Sequence, residues 1–408
     1  MTRPAASPLG SRAADRLDGV LGAAVDRGAV PGVVAAVTDR GGIVFEAARG
    51  VRRIGAAEPM ETDAVFQVAS MTKAVTSVCA MQLVERGLLD LTRPISTWEP
   101  EAANFQVLAG WENGEPLLRP PHREITLLDL LTHTSGLVYR NWDPAFAKFA
   151  DHRRLPGLFS GDPSAWFPPL MFDPGERWTY GISTDWVGRL VETVTGLSLG
   201  DYMADHVLGP LGMEDTGYSP RPDMTRRQAA LHERRAGEGL QPALENPPWN
   251  SARNHGGAGL YSTSRDYLSF LRMWLNGGRG PNGPVLQAPT VERMSRNAIG
   301  GLELRRLTTT DSTRQLDIDF FPGLTKRWGL GVMINETAAP TGRPAGGLAW
   351  SGIYNTHFWI DQQTGIAGVY MTQVLPFADE TVMAAYIDFE TEVYRQLTLA
   401  RGGSGDGK

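Results

Sequence analysis

A chain of 408 residues, 42% of them hydrophobic and 11 of them tryptophan, has room for two domains, or for one domain carrying a long insertion. A net charge of -6, a pI near 5.7 and the lack of any basic run exclude the electrostatic footprint of a nucleic-acid binder. The single Cys79 excludes an intrachain disulfide, and no run of about 18 apolar residues offers a membrane-spanning helix. Residues 1–16 hold no signal-peptide core, so a soluble cytoplasmic protein of unread oligomeric state is expected.

Residues 1–12 are rich in Ala, Pro and Ser and read as a frayed start. An amphipathic helix is expected over 16–27, with Leu17, Val20, Leu21, Ala24 and Val25 on one face and Gly28 as its stop. Residues 33–38 and 43–49, joined by Asp39-Arg-Gly-Gly42, read as a hairpin. Ala64, Val65 and Phe66 then lead into Ser70-Met-Thr-Lys73, at the head of a helix over 74–85 that is apolar nearly all round and closes at Gly87. From 88 to about 250 proline clusters, tryptophans and short helical patterns (125–132, 187–194, 199–208) replace strand-like runs. Strand character returns in the glycine-rich stretch 256–262 and in the runs 328–334, 354–360 and 366–373, whose close spacing favours antiparallel pairing. Helices are expected over 264–276 and 379–397. The fold class is therefore α/β (α+β). Residues 1–88 and 251–400 form one discontinuous domain, 89–250 a mainly helical insertion, and 401–408 a flexible tail.

Lysine is rare in this chain, at Lys73, Lys148, Lys326 and Lys408 alone, which makes its place three residues after Ser70 informative. The two side chains share one helical face. Ser70 at a helix start suits an N-cap, and an amine beside a serine hydroxyl equally suits a base beside a nucleophile. A second serine pattern, Gly196-Leu-Ser198-Leu-Gly200, has the spacing of a hydrolase nucleophile turn. A helix rather than a strand precedes it, so Ser198 is expected to cap the helix that follows. The seven histidines are scattered without metal-ligand spacing, and no metal or cofactor is expected. Acyl chemistry at Ser70 needs a second proton carrier and an oxyanion site. Tyr180, on a loop before a helix, offers the first. The strand Ala349-Trp350-Ser351-Gly352-Ile353, whose glycine admits a close backbone approach, offers the second.

Together Ser-Met-Thr-Lys73, His133-Thr-Ser-Gly-Leu137, Phe172-Asp-Pro-Gly175, Tyr180, Gly256-Gly-Ala-Gly259 and Trp350-Ser-Gly352 resemble the serine hydrolases of the class C β-lactamase and penicillin-binding-protein fold. The resemblance is nearest to the esterase branch, the family VIII carboxylesterases. It implies an antiparallel sheet flanked by helices, a helical domain, and an active site between them. It further implies Ser70 as the acylated nucleophile, with Lys73 and Tyr180 sharing its proton. The backbone N–H groups of Ser70 and Ile353 would form the oxyanion hole, and Tyr139 would be an active-site tyrosine. Two departures stand out: Tyr180-Gly-Ile182 where lactamases have Tyr-x-Asn, and Trp350-Ser-Gly352 where they have Lys-Thr-Gly. With Ile182, Trp350, Ser351 and Gly352 as the substrate wall, the loss of an amide partner and a cation points to neutral small-molecule esters of short to medium chain. The alternatives are acyl transfer to a bulky alcohol, a lactamase or DD-peptidase, and a non-catalytic binding protein of the same fold.

Overall fold

The computed structural model describes residues 9–10, 12–235, 237–244 and 254–402. Its frame is a seven-stranded sheet made of β1 (Gly32–Asp39), β2 (Ile43–Gly50), β3 (Lys326–Trp328), β4 (Met333–Asn335), β5 (Leu348–Gly352), β6 (Thr356–Asp361) and β7 (Ile366–Met371). The order is β3-β4-β5-β6-β7-β1-β2, antiparallel throughout. β5, β6 and β7 are buried along their full length, because helices cover both faces. β2, at the edge, is buried only at Phe45.

The pleat sorts the aromatics of β6 to opposite faces. Phe358 meets Tyr267 of helix Ser264–Leu275, with ring centroids 5.4 Å apart. Trp359 meets Phe389 of the closing helix Glu380–Gly402, at 6.1 Å. Gly368, the register partner of Trp359, has no side chain because the indole occupies the place of its Cβ. The first helix, Ala13–Asp26, lies beside the closing one. No helix among the described residues is long and apolar enough to cross a membrane.

Helix α1, the label kept for Thr72–Glu85, is buried from Thr72 to Leu83 on every side. It is the centre of the helical half and packs on α2 (Ser183–Thr195). The expected helices over 16–27, 125–132, 187–194, 264–276 and 379–397 are present within a few residues of those bounds. The helix expected over 199–208 is an α-turn, Leu199–Met203, continued by a π-turn, Ala204–Leu208.

Three expectations need correction. The single run 328–334 is two strands, because the backbone at Gly329 and Gly331 passes so close to Met294 and Ser77 that the chain turns there. The region 89–250 holds two hairpins where few strands were expected. Val107–Glu112 pairs with Glu115–Arg119 through Asn113-Gly114, both at positive φ as a tight hairpin turn requires. His232–Arg235 pairs with Gly239–Pro242 and joins Val374–Leu375 in parallel, which ties this hairpin to the segment that follows β7. The closing helix continues to Gly402, past the expected start of the tail; the rest of that tail and the expected boundary at 250 lie outside the described residues.

Candidate active site

Ser70 does not cap a helix. It is the middle residue of a single 3-10 turn, Ala69–Met71, and neither that turn nor α1 has a side-chain cap. The turn is entered through Ala69, whose φ of +44 is left-handed for a residue with a Cβ, a conformation that costs of order 1–3 kcal/mol. The surroundings hold it there: Val68 N donates to Leu260 O at 3.0 Å and Met71 N to Val68 O at 3.0 Å. Freed from capping, the Ser70 hydroxyl is available to the amine one turn on.

Lys73 is fully buried. Its Nζ donates to Gly257 O at 2.7 Å and to Tyr139 Oη at 3.0 Å, and it lies 3.3 Å from Ser70 Oγ. The Gly257 carbonyl can only accept, whereas the two hydroxyls can donate or accept. Lys73 Nζ thus stands between Gly257 O, Tyr139 Oη and Ser70 Oγ, within hydrogen-bond reach of all three. Asp185 fixes the Gly257 peptide from behind, its Oδ1 accepting from Gly257 N at 3.0 Å. Burial, with Asp185 and Tyr180 nearby, pushes the Tyr139 phenol well above its ordinary range, so this hydroxyl keeps its proton. Burial and the neighbouring Lys73 push His133 well below the imidazole range, so its ring is a neutral packing partner.

Tyr180 is placed by the loop before α2, where Thr179 N donates to His133 O at 3.0 Å. Lys73 Nζ lies 4.8 Å from the centroid of its ring, while its hydroxyl accepts from Trp350 Nε1 at 3.4 Å. Sequence reasoning paired Tyr180 with Lys73 through the phenol. In the structure the phenol hydrogen-bonded to Lys73 is that of Tyr139.

Ser70, Tyr139, Tyr180, Trp350, Ser351, Gly352 and Ile353 line one cavity of about 470 Å³ between the end of β5 and the start of α1. Ser351 Oγ is 2.7 Å from His357 Nδ1, and burial lowers that imidazole to about 3. Gly352 lies against the loop that carries Ser70: a Cβ there would stand 2.5 Å from Val68 O. Ile182 is the exception among the expected wall residues. It sits one residue before α2, buried in the main apolar cluster and away from the cavity lining, because the chain turns inward there to start the helix.

Further residues that no motif names individually line the cavity: Phe159, Tyr218, His255, Phe320 and Phe377 add aromatic wall, and Arg314 adds a cation. They come from loops without periodicity, so no short-range pattern brings them together. The group of side chains that stands close enough to share a metal ion, His122, Asp173 and Glu176, is outside the cavity lining. Asp173 is engaged there by the Arg119 guanidinium, which holds its carboxyl down to about 2.

A hydroxyl, a buried amine and two phenols at the floor of an aromatic cavity, between an antiparallel sheet and a helical half, define a serine hydrolase or acyltransferase of the β-lactamase fold. The chain belongs to the Beta-lactamase family, whose model matches residues 17–392. It is 31% identical over 404 residues to the lovastatin esterase of Penicillium rubens, covering 95% of this chain and all of that one. It is 30% identical over 384 residues to the monacolin J acid methylbutanoyltransferase of Aspergillus terreus, covering 90% and 92%. The solved structure of simvastatin synthase from Aspergillus terreus superposes with a TM-score of 0.83 at 28% identity, covering 95% of this chain and 99% of that one. The expected fold and family are borne out.

Proposed function

We propose that the protein is a serine carboxylesterase that hydrolyses short- to medium-chain esters through an acyl-enzyme on Ser70. The observation that carries this reading is the Ser70 hydroxyl beside the buried Lys73 amine, at the floor of an aromatic cavity. In this mechanism Ser70 Oγ attacks the ester carbonyl carbon and its proton passes to the Lys73–Tyr180 pair. The oxyanion forms against the backbone N–H groups of Ser70 and Ile353. The C–O bond then breaks, Tyr180 returns the proton to the departing alcohol, and water releases the acid from Ser70 by the same steps in reverse. Trp350 and the other aromatic walls exclude water and hold the acyl chain or alcohol. The mechanism calls on no metal or cofactor.

Acyl transfer is the second reading, favoured by the named activity of the Aspergillus terreus relative. It differs only in the last step, where an alcohol replaces water. The chemistry is tested with p-nitrophenyl esters of graded acyl length, with nitrocefin beside them. A burst of p-nitrophenol and an acyl or fluorophosphonate adduct on the peptide containing Ser70 are expected. Nitrocefin turnover as efficient as that of the butyrate ester would move the protein to the lactamases. Absence of any labelling would leave a binding protein.

A further inference from the structure

The cavity that holds Ser70 is walled by aromatic and small side chains, and among the described residues that line it Arg314 is the one with a permanent charge. No Asp or Glu is among them. Arg314 is exposed, and no hydrogen bond or ion pair from the described residues engages its guanidinium. The acids nearest in sequence are all occupied elsewhere. Asp311 accepts from Thr313, Asp317 pairs with Arg306 at 3.1 Å, and Asp319 pairs with Lys326. The backbone that carries Arg314 is anchored. Phe377 N donates to Arg314 O at 2.9 Å, and Leu316 N donates to Phe377 O at 2.8 Å. The adjacent Gln315, fully buried, donates from Nε2 to Asn141 O at 3.3 Å, and Asn141 is itself a lining residue. A guanidinium carried by an anchored backbone at the wall of an apolar cleft, with no carboxylate among the described lining residues, presents a forked donor to an anion. The low-dielectric walls concentrate its field within the cleft.

We infer that Arg314 is a carboxylate anchor, and that the favoured substrates are esters bearing a carboxylate in their acyl or alcohol part. The inference rests on the esterase reading and revises the expectation of neutral esters, which followed from the loss of the cation at position 350. Ester chemistry at Ser70 then takes place at one end of the ligand, while the guanidinium fixes the other.

Three butyrate-sized substrates test it: p-nitrophenyl butyrate, the mono-p-nitrophenyl ester of glutaric acid, and 4-(butyryloxy)benzoate. The first is neutral, the second carries its carboxylate on the acyl side and the third on the alcohol side. The readout is the ratio of kcat/KM for each charged ester to that of the neutral one, compared between wild type and variant so that intrinsic reactivity cancels. Arg314→Ala is expected to lower the ratio about 10-fold for at least one charged ester, and Arg314→Glu further, with Arg314→Lys retaining part. The arm that falls identifies the end of the ester that is held. In wild type the same ratio should fall between about 0.05 M and about 1 M salt, because an exposed pair is screened. This measurement stands even where a variant does not fold. Ratios within about twofold of wild type in both Arg314→Ala and Arg314→Glu, with no salt effect, would overturn the anchor.

A binding readout separates this failure from failure of the esterase reading. Tryptophan fluorescence titration should show 4-phenylbutyrate binding about 10-fold more tightly than 4-phenylbutanol, a preference lost in Arg314→Glu. If that preference holds while no ester is cleaved at Ser70, the anchor stands and the esterase reading falls. If esters are cleaved at Ser70 and the acid and alcohol bind alike in wild type, the anchor falls and the esterase reading stands.

Discussion

Ser70 and Ser198 both stand at the entrance to a helix, and their hydroxyls are used in opposite ways. Ser198 has extended backbone, φ -63 and ψ 150, and caps the turn Leu199–Met203: Asp201 N donates to its Oγ at 3.1 Å, and Oγ donates to Asp201 Oδ2 at 2.7 Å. Donor and acceptor are both spent within its own turn, on an exposed surface. Ser70 is carried past the capping position by the left-handed Ala69 and the 3-10 turn, and its nearest polar partner is the buried Lys73. A cap is a hydroxyl already satisfied. A hydroxyl kept for chemistry has to be relieved of that duty, and here the relief comes from a bent backbone.

The most severe way to break the comparison is to exchange the roles of the two serines. Ser70→Ala should lower ester kcat by at least about 10³-fold, since without the nucleophile only binding and oxyanion stabilisation remain. Ser198→Ala should leave most of the activity. A fluorophosphonate adduct located on Ser198 by mass spectrometry would remove Ser70 from the nucleophile's place.

The next effect concerns protons. Lys73→Ala and Tyr180→Phe are each expected to cost about 10²-fold in kcat. Tyr139→Phe removes a hydrogen bond to Lys73 and should cost less, about 10-fold. Should Tyr139→Phe prove the more damaging of the two phenylalanine variants, the proton carrier is the phenol that the structure bonds to Lys73, and the assignments of the two tyrosines exchange.

Acid sharpens the contrast at the level of stability. His357, behind Ser351, is lowered by burial to about 3, so the folded protein holds it neutral while the unfolded chain protonates near the ordinary value of 6.5. Its contribution is complete above pH 6.5 and is lost as pH falls from there towards 3, amounting to about 2.5 kcal/mol by pH 4.5. The wild-type Tm should therefore fall over this window more steeply than that of His357→Phe. Equal slopes would mean that this imidazole does not titrate with unfolding. The smallest effect is at the decoy: Ser198→Ala should destabilise by about 1 kcal/mol through loss of the cap, read as a small fall in Tm.

The elements legible in the sequence were those whose burial is local and periodic. Leu17, Leu21 and Ala24 announced a helix, and the unbroken apolarity of residues 74–83 announced one buried on all sides. Ser70 and Lys73 were legible because one helical turn fixes their proximity. The hairpin 107–119 was missed although Asn113-Gly114 is among the strongest short hairpin signals, because proline and tryptophan nearby drew the reading towards irregular helix. His255 and Phe377 could not be read as neighbours of Ser70, since no short-range pattern records which loops converge on one cavity. Ile182 was assigned to the wall by its distance from Tyr180 in the motif. Only the turn into α2 reveals that its side chain faces the core.

The near contact of Gly352 with Val68 sets a practical limit on redesign. A Cβ at 352 would meet Thr356 Oγ1 and, at 2.5 Å, the Val68 carbonyl. The carbonyl, being main chain, cannot shrink or repack, which limits how far the separation of the strand from the Ser70 loop can be adjusted by substitution. Even a methyl at 352 has to push β5 away, and with it the neighbouring Ile353 amide. Any effort to fit bulkier acyl groups should therefore leave this floor untouched and trim Phe320 or Phe377, where the cavity is bounded by side chains alone and a smaller residue converts directly into room.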